Sequence, residues 1–353
     1  MSNIPRLFLW IGLVLLIINQ GPSCRRDSRS IETARPAFGI VIHGGAGAMS
    51  KKTLKPEREA AVRAKLAEAV MAGHRVLQAG GLSVDAVEAA IRIMEDSPLF
   101  NAGKGAVFTS EGTNELDACI MDGRTLKAGS IAGVRRVKNP ISLARLVMEK
   151  SPHVMMVAQG AENFAVEQGV ELVDPKYFFT QERWDSWQRA REREKQRDRE
   201  QKRSSGALEE GIGPERKLGT VGAVALDKAG NLAAGTSTGG TQNKRFGRVG
   251  DCPIVGAGTY ANNRTCAVSA TGTGEYFIRL TVAHDISALI EYRGLTLEQA
   301  ARTVIKEKLS QLGGDGGIVA IDKNGLIATP FNTSGMWRAH ALGPGGKAVV
   351  DVF

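Results

Sequence analysis

Four short stretches of this chain carry hydroxyls, glycines and one pair of opposite charges in an order that could break an amide bond. The first is Gly219-Thr220, directly ahead of the apolar run at residues 221–226. A Thr hydroxyl is a poor nucleophile by itself, but cutting the Gly219–Thr220 bond would give Thr220 a free α-amine beside it. An α-amine has a reference pKa of roughly 7.7–8.0 and so can act as a built-in general base. The second stretch, Thr236-Ser237-Thr238-Gly239-Gly240, ends the strand expected to pair with the one Thr220 opens, so a Thr238 hydroxyl could lie beside Thr220. The third, Arg248-Val249-Gly250-Asp251, sets a cation and an anion three residues apart in a Gly-containing loop. Such a pair suits a substrate carboxylate and ammonium. The fourth, Thr271-Gly272-Thr273-Gly274-Glu275, offers a hydroxyl and unhindered backbone N–H groups for an oxyanion. Singly, each has a plain structural reading: the head of a core strand, a turn, a surface ion pair, an N-cap. Together they are the parts of an amide hydrolase.

The surrounding pattern supplies elements to hold these parts. Residues 38–42 are a compact apolar run, expected as a buried strand, and lead into His43-Gly44-Gly45-Ala46-Gly47, expected as a loop close to a ligand or a reacting bond. A dinucleotide fingerprint is the rival reading there, but the third Gly is missing at the required spacing. Helical spacing marks residues 56–78, and Ser83 is expected to cap a second helix carrying Val84, Val87, Ile91 and Met94. Asn139-Pro140 starts another helix and Gly169 stops the next. Strands are expected at residues 118–121, 130–134 and 266–270, with hairpins at 221–237 and 317–329. One helix is expected over 275–292, closed by Gly294, and Thr296 with Gln299 makes a capping box for its successor. Helix pairs flanking hairpin-rich sheet indicate a layered α/β domain.

The chain of 353 residues is long enough for a full core. Its formal net charge of +9 would indicate a nucleic-acid or acidic-membrane partner only if clustered on one folded face. Much of the excess lies instead near the N-terminus and in residues 182–217, where acids interleave with the bases, so no nucleic acid is expected as a partner. That mixed-sign stretch has almost no apolar face and is expected to be a solvated linker, giving slack where a scissile bond at Gly219 would need it. Arg6 and the apolar run at residues 7–18, followed by Gly21-Pro22-Ser23-Cys24, look like a signal peptide or N-terminal anchor over residues 1–24. Export to the periplasm or beyond is expected, with lipid attachment at Cys24 or an uncleaved anchor as the alternatives. Residues 25–37 read as a tether ahead of one hydrolase domain at 38–353. Cys119, Cys252 and Cys266 are too scattered for a zinc cluster and are expected to be buried as small apolar groups.

The motifs resemble the plant-type asparaginase/isoaspartyl peptidase family of N-terminal-nucleophile hydrolases, and its bacterial isoaspartyl dipeptidase members most. The likeness rests on His-Gly-Gly-Ala-Gly at 43–47, Pro-Leu-Phe-Asn-Ala-Gly at 98–103, Glu-Leu-Asp-Ala-Cys at 115–119 and the four stretches above. It implies a four-layer αββα sandwich made as an inactive precursor that cuts itself into residues 25–219 and 220–353, usually as a dimer of such pairs. It further implies Thr220 as nucleophile, Thr238 as its support, Thr271 and Gly272 as oxyanion donors, and Arg248 for the substrate α-carboxylate. Asp251 and Gly274 would take the α-ammonium, and Gly45 and Asn101 would stand near the nucleophile. A structural sodium ion would sit on backbone carbonyls of Met94, Glu95, Ser97, Phe100, Ala102 and Lys104. The implied substrates are isoaspartyl dipeptides and L-asparagine, with no cofactor in the bond-breaking; glycosylasparaginase is the enzymatic alternative, and an uncleaved binding protein the non-enzymatic one. The export segment and the charged stretch depart from the cytoplasmic members' pattern.

Overall fold

The computed structural model describes residues 37–47, 54–203 and 219–353; the N-terminal apolar run, Cys24, most of the tether and residues 204–218 lie outside them. Eight strands form the larger sheet: β1 (Gly39–Gly47), β2 (Leu116–Asp122), β3 (Ala128–Val134), β4 (Met155–Val157), β5 (Val221–Leu226), β6 (Leu232–Thr238), β11 (Gly335–Leu342) and β12 (Val349–Asp351). Their order is β12-β11-β1-β5-β6-β2-β3-β4, antiparallel throughout except for β3–β4. The smaller sheet runs β10-β9-β8-β7, from β7 (Thr259–Ala261), β8 (Cys266–Gly272), β9 (Gly316–Asp322) and β10 (Ile327–Ala328).

Period-two side-chain alternation makes β5 and its neighbours contribute to two cores at once. Val221, Ala223 and Ala225 join Ile40 and Ile42 against α1 (Pro56–Gln78), α2 (Ser83–Glu95), α3 (Pro140–Lys150) and α4 (Ala158–Glu167). Val224 and Leu226 turn the other way, with Val41, Ala234, Val319 and Ile321, into the space between the sheets. Both faces are buried, which is why the sequence shows a continuous apolar run there rather than alternation. On the outer face of the smaller sheet, Val268 and Ile318 pack with Ile286 of α7 (Val282–Arg293) and Ala300 of α8 (Leu297–Arg302). A π-helical stretch (Thr303–Lys308) and α9 (Leu309–Gln311) continue α8. Helix, sheet, sheet, helix is the four-layer αββα sandwich.

Four expectations are corrected. The glycine cluster is not a loop: β1 runs on to Gly47, and a bulge between His43 and Gly45 bends its end. Ser83 is not a cap but the first residue of α2; its N–H is capped from afar by the Asp227 carboxylate at 3.1 Å. The helix expected over 275–292 is two, α6 (Gly274–Leu280) and α7, broken at Thr281, whose φ is 45°. The charged stretch does not begin as a solvated linker. It folds as α5 (Gln181–Arg203), with Trp187 only 5% exposed and Trp184 and Trp187 stacked around Phe108. Two tryptophans on one turn suffice to seat an otherwise polar helix. Cys119, Cys252 and Cys266 are buried free thiols.

Candidate active site

The β5–β6 register pairs Val221 with Ser237, which brings Thr220 opposite Thr238 at the strand ends. The Thr220 hydroxyl donates to Thr238 Oγ1 at 3.0 Å, and the Gly240 N–H donates to the same oxygen at 3.0 Å. On the other side of the Gly219–Thr220 bond, the Gly219 carbonyl accepts the Asn101 N–H at 3.2 Å. Asn101 is strapped to the Thr238–Gly240 turn: its carbonyl accepts the Gly239 N–H at 3.0 Å and its Nδ2 donates to the Gly240 carbonyl at 2.7 Å. Gly45 and Gly219 touch backbone to backbone. A Cβ on Gly45 would stand 2.3 Å from Gly219 Cα, and both residues have positive φ, 114° and 65°. No side chain fits at either position.

Behind Thr220 lies a chain of buried polar groups that the sequence did not reveal. His43 Nδ1 lies 3.1 Å from the Thr220 carbonyl oxygen and Nε2 lies 2.9 Å from Ser269 Oγ. Complete burial holds the imidazole neutral, its pKa lowered to about 3. A carbonyl can only accept, so Nδ1 carries the proton and Nε2 accepts from Ser269. Ser269 then accepts from Thr236 at 2.7 Å, and Thr236 from Thr259 at 2.7 Å. The donors thus all point one way, toward the carbonyl of Thr220. Gly222 leaves room for them, since a Cβ there would lie 1.9 Å from Ser269 Oγ.

Across the cleft the two charges meet over a glycine. A Cβ on Gly274 would stand 2.8 Å from an Arg248 guanidinium nitrogen and 2.9 Å from Asp251 Oδ1. Arg248 is bidentate on Glu275, at 3.0 Å for both contacts, so an entering carboxylate must compete with Glu275 or share the guanidinium with it. Asp251 is buried, and its Oδ2 has no hydrogen-bond partner. Burial, partly offset by Arg248, lifts its carboxyl to about 7. Such a group gains from an arriving ammonium. Thr271 is 2% exposed, at the end of β8, and its Oγ1 accepts the Ala46 N–H at 3.3 Å.

Of the residues singled out in the sequence, Asn101, Gly219, Thr220, Thr238, Arg248, Asp251, Thr271 and Gly272 line one cavity. Gly45 and Gly274 do not line it but pack against residues that do, Gly45 against Gly219 and Gly274 against Arg248 and Asp251. Thr241 and Glu275 also line it without having been given a role from the sequence, and the same is true of the chain from His43 to Thr259 behind it. The signal for His43 was its place at the head of the glycine cluster and for Thr236 its place at the head of the Thr236–Gly240 stretch; Ser269 and Thr259 carried none, being ordinary strand residues. The residues expected to hold the sodium ion are not all in a loop: Met94 and Glu95 end α2, and Ser97, Phe100, Ala102 and Lys104 follow in the segment that contains Asn101. There the Glu95 carbonyl would be 2.3 Å from a Cβ on Gly103, and the Phe100 and Pro98 carbonyls 2.0 and 2.8 Å from one on Gly105. Oxygen donors of this kind fit a hard cation.

The sequence matches the family described as asparaginase over residues 36–350. It is 54% identical over 303 residues to the isoaspartyl peptidase of Escherichia coli (strain K12), covering 85% of this chain and 91% of that protein. The Salmonella typhimurium isoaspartyl peptidase is likewise 54% identical over 301 residues, covering 85% and 94%. The isoaspartyl peptidase/L-asparaginase of Rattus norvegicus is 40% identical over 322 residues, covering 90% and 91%.

Proposed function

The chain belongs to the asparaginase family, and we propose that it is a self-cleaving threonine hydrolase of β-aspartyl dipeptides and of the L-asparagine side-chain amide. One observation carries the reading: the Thr220 hydroxyl, 3.0 Å from Thr238 Oγ1, shares a cavity with Arg248 and Asp251. In maturation, Thr220 Oγ attacks the Gly219 carbonyl carbon, and the Asn101 N–H stabilises the oxygen as it gains charge. The amide becomes an ester on Oγ, the former amide nitrogen becomes a free amine, and water splits the ester to leave a Gly219 carboxylate. Two fragments result, residues 25–219 and 220–353.

Turnover reuses the same hydroxyl. Arg248 holds the substrate α-carboxylate and Asp251 the α-ammonium, which sets the β-carbonyl against Thr220. The Thr220 amine takes the hydroxyl proton and passes it to the departing amine, while Thr271 Oγ1 and the Gly272 N–H hold the oxyanion. Water then resolves the β-aspartyl ester. A sodium ion on the Met94–Lys104 segment belongs to the proposal as a structural element, supported by the crowding of carbonyls there. So do a dimer of fragment pairs, from the resemblance, and export by way of residues 1–24, from their sequence.

Incubation with β-aspartyl-leucine, L-asparagine and glycosylated asparagine side by side tests the substrate class. Dominant turnover of the first is expected, and dominant turnover of the last would overturn the reading. Gly239 supports this order: a Cβ there would meet Asn101 Oδ1 at 2.6 Å and Ala106 Cβ at 2.8 Å. The glycosylasparaginase branch usually has Asn at that position, and no such side chain is accommodated here.

Asp251 sets a pH dependence. Only its ionised form holds an ammonium, so kcat/KM should climb as pH rises toward about 7. Asp251→Asn should lower kcat/KM and remove that limb, leaving the rise set by the Thr220 amine at higher pH. A variant that keeps the lower limb would assign it to another group. Stability runs the opposite way. With the folded pKa above the unfolded one, this group's contribution in the substrate-free protein is lost as pH rises from 3.8 through about 7.

A further inference from the structure

The charged helix α5 lies upstream of the proposed cut, yet it grips the loop that carries Arg248 downstream of it. Glu194 is the point of contact. One carboxylate oxygen accepts from Asn243 Nδ2 at 2.5 Å, and the other pairs with Arg245 at 2.9 Å. Glu194 is 28% exposed, whereas Arg245 is 51% exposed, so the Asn243 bond is the better shielded of the two.

The loop is also held at Lys244, which is buried, pairs with Glu115 at 3.6 Å and accepts the Ser110 N–H on its carbonyl at 2.9 Å, so Glu194 acts on the stretch between Lys244 and Arg248. Asn243 sits at φ 62° and Phe246 at φ 57°, backbone conformations that ordinary side chains hold only when the surroundings impose them. The Asn243 N–H donates to the Phe108 carbonyl at 2.8 Å, and Phe108 is the ring that Trp184 and Trp187 surround. Arg248 follows directly, its N–H donating to the Arg245 carbonyl at 3.0 Å. The path from Glu194 to the guanidinium that lines the cleft is therefore two short contacts and one turn. At its other end α5 is fixed by Arg183, whose Nε donates to the Gly105 carbonyl at 2.8 Å.

We propose that Glu194 is a positioning residue for substrate binding: it clasps Asn243 and Arg245 so that Arg248 is held ready for a carboxylate. The helix is then a working part of the upstream fragment, retained after cleavage, and not spare linker. The inference rests on the role given to Arg248 above.

Two variants and two readouts test it. Glu194→Ala should raise KM for β-aspartyl-leucine by about 3- to 10-fold, with kcat within about twofold of the parent, because a charge-assisted bond to the loop is lost and the chemistry at Thr220 is untouched. Glu194→Gln keeps an acceptor for Asn243 and should recover most of that loss. In substrate-free protein, hydrogen exchange should quicken at the amides of Asn243 and Arg248 in Glu194→Ala but not in the core of β5. An unchanged KM with unchanged exchange would overturn the proposal, as would a fall in kcat at constant KM. If the parent protein fails to turn over β-aspartyl-leucine, the functional reading fails by itself, and the exchange readout still decides whether the clasp exists.

Discussion

Thr220→Ala is expected to run as a single full-length band on a denaturing gel and to lose essentially all turnover. The loss should be on the order of 10⁴-fold or more, because one substitution removes both the hydroxyl that attacks and the cut that would free its amine. The fold should survive. Among the described residues the Thr220 side chain makes one hydrogen bond, to Thr238 Oγ1, and that oxygen keeps the Gly240 N–H. N-terminal sequencing of the smaller fragment from the parent protein is the companion measurement. Active material that begins at another residue would end the mechanism.

Arg248→Ala should separate the two chemistries. The proposed self-cleavage uses Thr220, Thr238 and the Asn101 N–H, none of which hydrogen-bonds to Arg248, so two bands are expected as in the parent. Substrate binding should suffer severely. Removing a guanidinium that faces a carboxylate costs about 3–4 kcal/mol, which is roughly 10²- to 10³-fold in kcat/KM. Glu275 would also lose the two hydrogen bonds it accepts from Arg248. Blocked processing in this variant would show that Arg248 shapes the scissile bond as well.

The sequence made the sheets legible where the signal was local. The hairpin of β5 and β6 was readable because Asp227-Lys228-Ala229-Gly230-Asn231 has turn chemistry between two apolar runs. The same Asp227 also holds the start of α2 through Ser83, 144 residues away, and nothing local announces that bond. Thr220, Thr238, Arg248, Asp251 and Thr271 stood out because hydroxyls and charges beside glycines are rare inside apolar runs. His43 and Ser269 did not, since their meaning comes from two sheets facing each other. The helix α5 misled for a related reason. Its charges dominate the composition, while its seating depends on Trp184, Trp187 and Arg183 reaching partners more than 70 residues back in the chain.

The strand order has a bearing on how the mature protein would age. Reading across the larger sheet, β12 and β11 come from downstream of residue 219, β1 from upstream, β5 and β6 from downstream, and β2, β3 and β4 from upstream. A cut at that residue leaves three ladders, β11 with β1, β1 with β5 and β6 with β2, each stitched from both pieces. The pieces hold together as long as the sheet does, but each alone has strands with missing neighbours. Once melted, they would have to meet again by diffusion and re-thread a pattern first laid down by a continuous chain. Recovery from heat or denaturant should therefore be poor and dependent on concentration, and the working lifetime should be set by how slowly the sheet first opens.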